Sequence, residues 1–144
     1  MSKYALLLSI RPRFAKMIFE VIKTVELRRV RPTIRAGDLV LVYVTSPAKE
    51  IQGAFRVGKT ISGTPDTIWR RFGKQSGTSR AEFDAYFRGK SEAHALVIEE
   101  AWTLPKAVRL ACIRKEKRGF HPPQSFHYIR GKGFPSSFGI PLPN

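Results

Sequence analysis

The sequence predicts an α+β fold: a small, compact, partly closed β-barrel with flanking helices. Three observations carry this. Apolar runs of strand length open the chain and recur through its first sixty residues. One of them, 51–61, holds Gly53 and Gly58 within it, as strands do where a small barrel turns a corner. The period then becomes helical in the middle of the chain, and a strand-like run returns after it. At 144 residues the chain is one domain's worth, long enough to bury a core without disulfide staples.

The elements follow in order. Tyr4–Ile10 (YALLLSI) is a continuous apolar run and reads as a buried strand. Pro12 then suits the first turn of a helix, with Ser9 near enough to cap it. Phe14, Met17, Ile18 and Val21 recur at helical spacing and form one apolar face expected in the core. Thr24–Arg28 alternates in character and reads as a strand. Arg31-Pro32 and Ala36-Gly37-Asp38 are turn signals, and Leu39–Val44 (LVLVYV) is a second apolar strand closed by Ser46-Pro47. A strand over 51–61 follows. Thr64-Pro65-Asp66 starts a helix that Gly73 stops. Ser79 and Glu82 are spaced as a capping box for a second helix, with Phe83, Tyr86 and Phe87 on one face. Residues 92–101 return to strand character. Beyond them, 107–113 reads as a short helix or strand, Pro122–Phe126 as a single helical turn, and 131–144 as an irregular tail outside a domain of residues 1–130.

Charge narrows the function. Lys plus Arg number 26 and Asp plus Glu 11, a net charge of +15. The surplus is at the two ends of the chain, in RPRFAK, ELRRVRP and IRKEKRG, while residues 51–100 are nearly balanced. Such a field attracts polyanions, and nucleic acid is the expected partner. No segment pairs a basic face with a broad apolar one, so a membrane surface is not expected. One cysteine, Cys112, rules out an internal disulfide framework, and three scattered histidines show no metal-ligand spacing, so neither metal nor cofactor is expected. The apolar stretch near the start is about six residues, too short for a signal peptide core. A soluble, cytoplasmic setting is the expectation.

Four clusters could carry chemistry. In Lys23–Arg29 an extended strand puts Glu26 and Arg28 on the face opposite Val25 and Leu27. With Lys23 at the strand's start, this makes either a solvated ion pair or a polar pocket. Tyr43 and Lys49 flank the turn that leaves the LVLVYV strand, a place where a strand fixes side chains and a loop exposes them. Tyr43 could stack a base or donate its phenol, and Lys49 could hold a phosphate, or they are a core tyrosine and a surface lysine. Arg114 and Lys115 begin a basic run beside Phe120, the pairing of cation and ring that single-stranded nucleic acid uses. Gln124 and Ser125, with Phe126 and Tyr128 close by, offer an amide and a hydroxyl beside aromatic rings, in a base-binding or a packed turn. His121 and His127 have no acid or nucleophile beside them in sequence.

Taken together, LLLSIRPRFAKMIF, KTVELRR, AGDLVLVYVTSPAK, SGTPDTIWRRFG, SRAEFDAYFRG and PPQSFHYI resemble the ASCH domain family of the PUA-like group, over about residues 5–130. The family often has Gly just before the Lys-Thr pair, where this chain has Val21-Ile22. The resemblance implies a PUA-like barrel with a basic cleft beside the first helix. Arg11, Lys23, Glu26, Arg28, Arg114, Lys115 and Gln124 are then the candidates to bind nucleic acid. It also implies RNA binding and, through the tyrosine, lysine and serine of its ribonuclease members, catalytic roles for Tyr43, Lys49 and Ser125. RNA supplies its own nucleophile, the 2′-hydroxyl, so such a site needs no metal. It must move a proton and steady the phosphorane charge. Unperturbed Lys and Tyr have pKa values near ~10, which predicts a slow enzyme.

Two other readings stay open. An amidohydrolase on an acylated nucleoside would match at Lys23, but Glu26 stands where that type has its nucleophilic threonine. A regulatory, antitoxin-like protein binding duplex DNA or a partner would use the helical pair at 65–73 and 79–88. The loop joining that pair, KQSGT, is long for a helix-turn-helix. Single-stranded RNA is the preferred partner and duplex DNA the lesser one.

Overall fold

The computed structural model describes residues 4–130 and Ile140. The order is β1 (Tyr4–Ile10), α1 (Pro12–Phe19), β2 (Val25–Arg28), β3 (Leu39–Val44), β4 (Glu50–Gly63), α2 (Pro65–Phe72), α3 (Arg80–Tyr86), β5 (Ala93–Arg109), α4 (Leu110–Glu116) and β6 (Phe126–Arg130). The six strands form one mixed sheet in the order β2-β5-β4-β3-β1-β6. Among the described residues only β1 and β3 run parallel, with Leu7 beside Leu41 and Ser9 beside Tyr43. Their crossover carries α1 and β2, which explains why both strands are continuous apolar runs covered on both faces.

The expected barrel is not closed by hydrogen bonds among the described residues, because β2 and β6 each lack a second partner strand. Side chains bridge the two edges instead. Arg28 on β2 donates to the Ser9 carbonyl and to Ser125 just before β6, and the Thr33 backbone N–H donates to the Tyr128 hydroxyl on β6.

Alternation along the strands sorts the core. Leu6, Leu8, Ile10, Val40, Val42 and Val44 face α1 and pack on Ala15 and Ile18. Ala5, Leu7, Leu41 and Tyr43 face the other way, where Leu110 and Ile113 of α4 and Ile140 cover them. Val25, Leu27, Ala93 and Ala95 pack against Ile68 and Phe72 of α2 and Phe83 of α3. Gly53 sits where the β4 register shifts. A Cβ there would lie 2.6 Å from the Phe19 ring and 2.3 Å from the Trp102 carbonyl oxygen, so only glycine lets α1 and β5 close on β4.

Several local expectations are revised. Ser9 does not cap α1: Arg11 is the N-cap without a side-chain bond, and the Ser9 hydroxyl donates to the Pro123 carbonyl at 2.6 Å. The helix ends at Phe19, which leaves Val21 outside the apolar face and 71% exposed. Strand β5 runs on to Arg109 before α4 begins, because beyond a register shift the first residues of β4, Ile51 and Glu50, pair with Val108 and Arg109. Residues 122–125 form no helical turn, since the Ser9 backbone N–H and hydroxyl take the Ser125 and Pro123 carbonyls, and the segment leads straight into β6. Apart from Ile140, the predicted tail at 131–144 lies outside the described residues. No described helix is long and apolar enough to cross a membrane.

Candidate nucleic-acid cleft

The cleft begins with how α1 ends. Val21 N–H bonds to the Ile18 carbonyl and Ile22 N–H to the Met17 carbonyl, which is a Schellman turn with Val21 in the position that favours glycine. Val21 accordingly has φ +60°. Lys23 N–H also bonds to Met17, so the chain reverses within three residues and delivers Lys23 and β2 to the inner side of α1. On β2, Val25 and Leu27 enter the core, while Glu26 and Arg28 point the opposite way beside Lys23.

These three side chains form one buried chain of charge. Lys23 Nζ donates to the Ser76 carbonyl at 2.6 Å and lies 3.2 Å from Glu26 Oε1. Arg28 donates to Glu26 Oε2 at 2.6 Å and to the Ser9 carbonyl at 3.1 Å. Its other terminal nitrogen reaches the Ser125 hydroxyl at 3.3 Å, while its buried Nε has no partner among the described residues. Lys23, Glu26 and Arg28 are 3%, 7% and 6% exposed, so the solvated ion pair that the sequence allowed is replaced by a desolvated one. Burial drives the Glu26 carboxyl pKa up, but the adjacent Lys23 and Arg28 charges outweigh it and hold the value below the usual 4.5. Burial lowers the Lys23 ammonium pKa below 10.5, although Glu26 pulls it back. Two basic side chains thus share one carboxylate in the cluster.

The cluster forms the floor of a cleft of about 590 Å³. Ile10 and the rings of Phe14, Phe83 and Tyr86 give it apolar walls, and Arg11 and Arg29 bring two more guanidinium groups. The Arg29 guanidinium lies 4.7 Å from the centre of the Tyr86 ring. Arg13 on α1 pairs with Glu82 on α3, a link between the two helices that flank the opening. Gln124 and Ser125 complete the wall next to β1. An anionic group with an attached ring finds charge at the floor and flat apolar surface on the sides.

Six of the ten residues singled out from sequence therefore meet here: Arg11, Lys23, Glu26, Arg28, Gln124 and Ser125. The other four do not line this cleft. Tyr43 is buried on the α4 side of the sheet, where burial raises its phenol pKa above 10 and a nearby Arg114 opposes the rise. Lys49 is exposed in the β3–β4 turn, at φ +51°, and its carbonyl accepts the Leu110 N–H at the start of α4. Arg114 and Lys115 are exposed on α4. The two groups meet through one lateral row of the sheet: Tyr43 is the register partner of Ser9, whose N–H bonds to the Ser125 carbonyl. Phe14 and Tyr86 escaped the sequence reading because a ring at helical spacing is also the mark of a core face. Thr45, Thr78 and Glu82 carry no local signal of a shared cleft.

Known proteins resemble this chain in sequence and fold. The ASCH domain pattern matches residues 8–106. The chain is 35% identical over 126 residues to large ribosomal subunit protein uL22 of Ureaplasma parvum serovar 3, covering 87% of this chain but 39% of that protein. It thus spans about two fifths of that relative's length. It is 29% identical over 123 residues to an ASCH domain-containing ribonuclease of Zymomonas mobilis, covering 85% of this chain and 82% of that one. The crystal structure of ASCH from Zymomonas mobilis superposes with a TM-score of 0.86 at 27% identity over 92% of both chains. Structures of its tyrosine-to-phenylalanine and serine-to-alanine variants each give 0.85. Most of the sheet, α1, the α2–α3 pair and the floor of the cleft fall within the matched residues, and the chain belongs to the ASCH domain family.

Proposed function

We propose that this protein binds single-stranded RNA in the cleft and cleaves it slowly without a metal where the strand leaves the cleft past Ser125 toward Tyr43 and Lys49. The observation that carries the binding is the buried Lys23–Glu26–Arg28 cluster, two basic side chains to one carboxylate, with Arg11 and Arg29 beside it in a ring-walled hollow of nucleotide size. Phosphate answers the charge, and an unpaired base answers the Phe14 and Tyr86 walls. The likeness to a Zymomonas protein named as a ribonuclease supports the enzymatic half. On this reading the sheet is a barrel left split between β2 and β6, with the cleft at its seam, and the free Cys112 thiol suits a reducing cytoplasm.

In the proposed reaction the 2′-hydroxyl gives its proton to solvent water, its oxygen attacks the adjacent phosphorus, and the 5′-oxygen leaves with the Tyr43 proton, which solvent then restores. The products are a 2′,3′-cyclic phosphate and a 5′-hydroxyl. Lys49 offsets the charge of the phosphorane, Ser125 holds a phosphate oxygen, and Tyr43 passes its proton to the leaving oxygen. The raised phenol pKa fits a donor rather than a base at neutral pH. None of the three is a histidine or a carboxylate, so the proton leaves to water, which keeps the reaction slow. The amidohydrolase reading is less well supported, because Lys23 is held by the Ser76 carbonyl and Glu26 rather than by a hydroxyl nucleophile. Incubation of end-labelled single-stranded RNA in EDTA tests the proposal. Cleavage should persist in EDTA, leave a cyclic phosphate and vanish in Lys49→Ala. Intact RNA showing only salt-dependent retardation reduces the protein to a binder, and no retardation at all removes the RNA reading.

A further inference from the structure

We propose that α4, with the turn at Lys49, is a second contact for the phosphates of single-stranded RNA, so that a strand seated in the cleft continues across this surface. The inference rests on the RNA reading above. Some exposed basic side chains are neutralised where they stand: Arg80 on α3 pairs with Asp66 at 2.8 Å and Asp84 at 3.0 Å, whereas Arg70 and Arg71 on α2 have no ion-pair partner among the described residues. Arg13, facing α3, has Glu82. The α4 region gathers a larger group of basic side chains without such a partner among the described residues. Arg109 before the helix, Arg114 and Lys115 on it and Arg118 after it are all exposed, and none has an ion-pair partner among the described residues. Glu116 is the sole acidic residue of the sequence beyond position 100. Lys49 joins this group, because its carbonyl accepts the Leu110 N–H at 2.9 Å. Five like charges around one short helix repel each other and favour a polyanion.

The patch is also physically continuous with the cleft. Arg114 Nε donates to the Phe120 carbonyl at 3.1 Å, which fixes the start of the segment that runs from α4 to β6. The same segment is held at its far end by Ser9 on Pro123 and by Arg28 on Ser125, and there it forms the cleft wall. One strap of the chain thus joins the two positive surfaces. The apolar side chains of α4, Leu110 and Ile113, face inward into the core, and the outward Ala111 and Cys112 offer no broad lipid-facing stripe. Charge without an apolar face fits a nucleic-acid backbone better than a bilayer.

The test compares two RNA lengths in fluorescence anisotropy across a salt series. The variant is Arg109→Gln/Lys115→Gln/Arg118→Gln, whose side chains are exposed and make no described hydrogen bond. For an RNA of about 15 nucleotides, it should bind about tenfold or more weakly than the unsubstituted protein, with a log–log salt slope shallower by about 2, from roughly 0.7 per single-strand phosphate contact. A trinucleotide, long enough for the cleft alone, should bind both proteins equally. Unchanged affinity and slope for the long RNA overturn the second surface while leaving the cleft reading standing. Equal weakening for both lengths also overturns it, because the charges then act on the cleft itself. If the unsubstituted protein binds neither RNA, both readings fall. Loss of binding to phosphatidylserine vesicles in the variant, with RNA binding intact, assigns the patch to a lipid surface and overturns the proposal.

Discussion

Glu26 sits between two buried cations, so removing its charge leaves Lys23 and Arg28 desolvated without a counterion. Breaking such a pair from one side costs about 3–5 kcal/mol, and Glu26→Gln should lower unfolding free energy by that order in urea titrations. The acid limb follows from the same group. Its folded pKa is lowered, so its stabilisation is present above 4.5 and is lost as pH falls through the folded value. Urea midpoints measured from pH 5 downward should fall for the unsubstituted protein, and the fall should be shallower in Glu26→Gln. Val21 makes the opposite case. A β-branched residue at φ +60° and 71% exposed bears strain and contributes little packing. Val21→Gly should therefore stabilise by about 0.5–1 kcal/mol, read as a higher melting temperature. A Val-Ile pair in place of the family's frequent glycine was visible in the sequence. The cost, a left-handed valine closing a Schellman turn, needed the backbone. Alternation along β2 had already put Glu26 and Arg28 on one face. What it could not give was their burial, because that depends on Ser76 and Ser125, which are about fifty and one hundred residues away.

Elements with a local cause were legible and those with a distant cause were not. The capping box at Ser79 and Glu82 forms as the spacing demands, with each side chain on the other's backbone N–H. Ser79→Ala should cost about 1 kcal/mol, measurable by chemical denaturation, and should loosen the α3 wall that presents Tyr86 and Glu82 to the cleft. Strand β6 was missed because Phe126–Arg130 is a half-exposed edge whose pairing partner, β1, lies at the other end of the chain. The helical turn expected at Pro122–Phe126 failed for a related reason: contacts from Ser9 hold those carbonyls in an extended path. The open seam between β2 and β6 has the same origin, since nothing in either strand's pattern says whether its last edge finds a neighbour.

At the scale of the molecule, the uneven charge seen in the sequence becomes a geography. Carboxylates on α2 and α3 pair with Arg13 and Arg80, while Arg11 and Arg29 at the cleft and the basic side chains around α4 have no ion-pair partner among the described residues. That distribution makes ionic strength a sensitive probe of function, because each phosphate contact contributes its own increment to the salt dependence. It also sets the most direct test of the cleft, for which Arg11 and Arg29 are suited. Both side chains are exposed, both line the hollow, and neither belongs to the buried cluster that supports the fold. The measurement is anisotropy of a labelled RNA trinucleotide against salt, for the unsubstituted protein and for Arg11→Gln/Arg29→Gln. If the cleft holds RNA, affinity falls about tenfold and the log–log slope becomes shallower by about 1.4, two contacts at roughly 0.7 each. Identical affinity and slope in the two proteins would contradict the account.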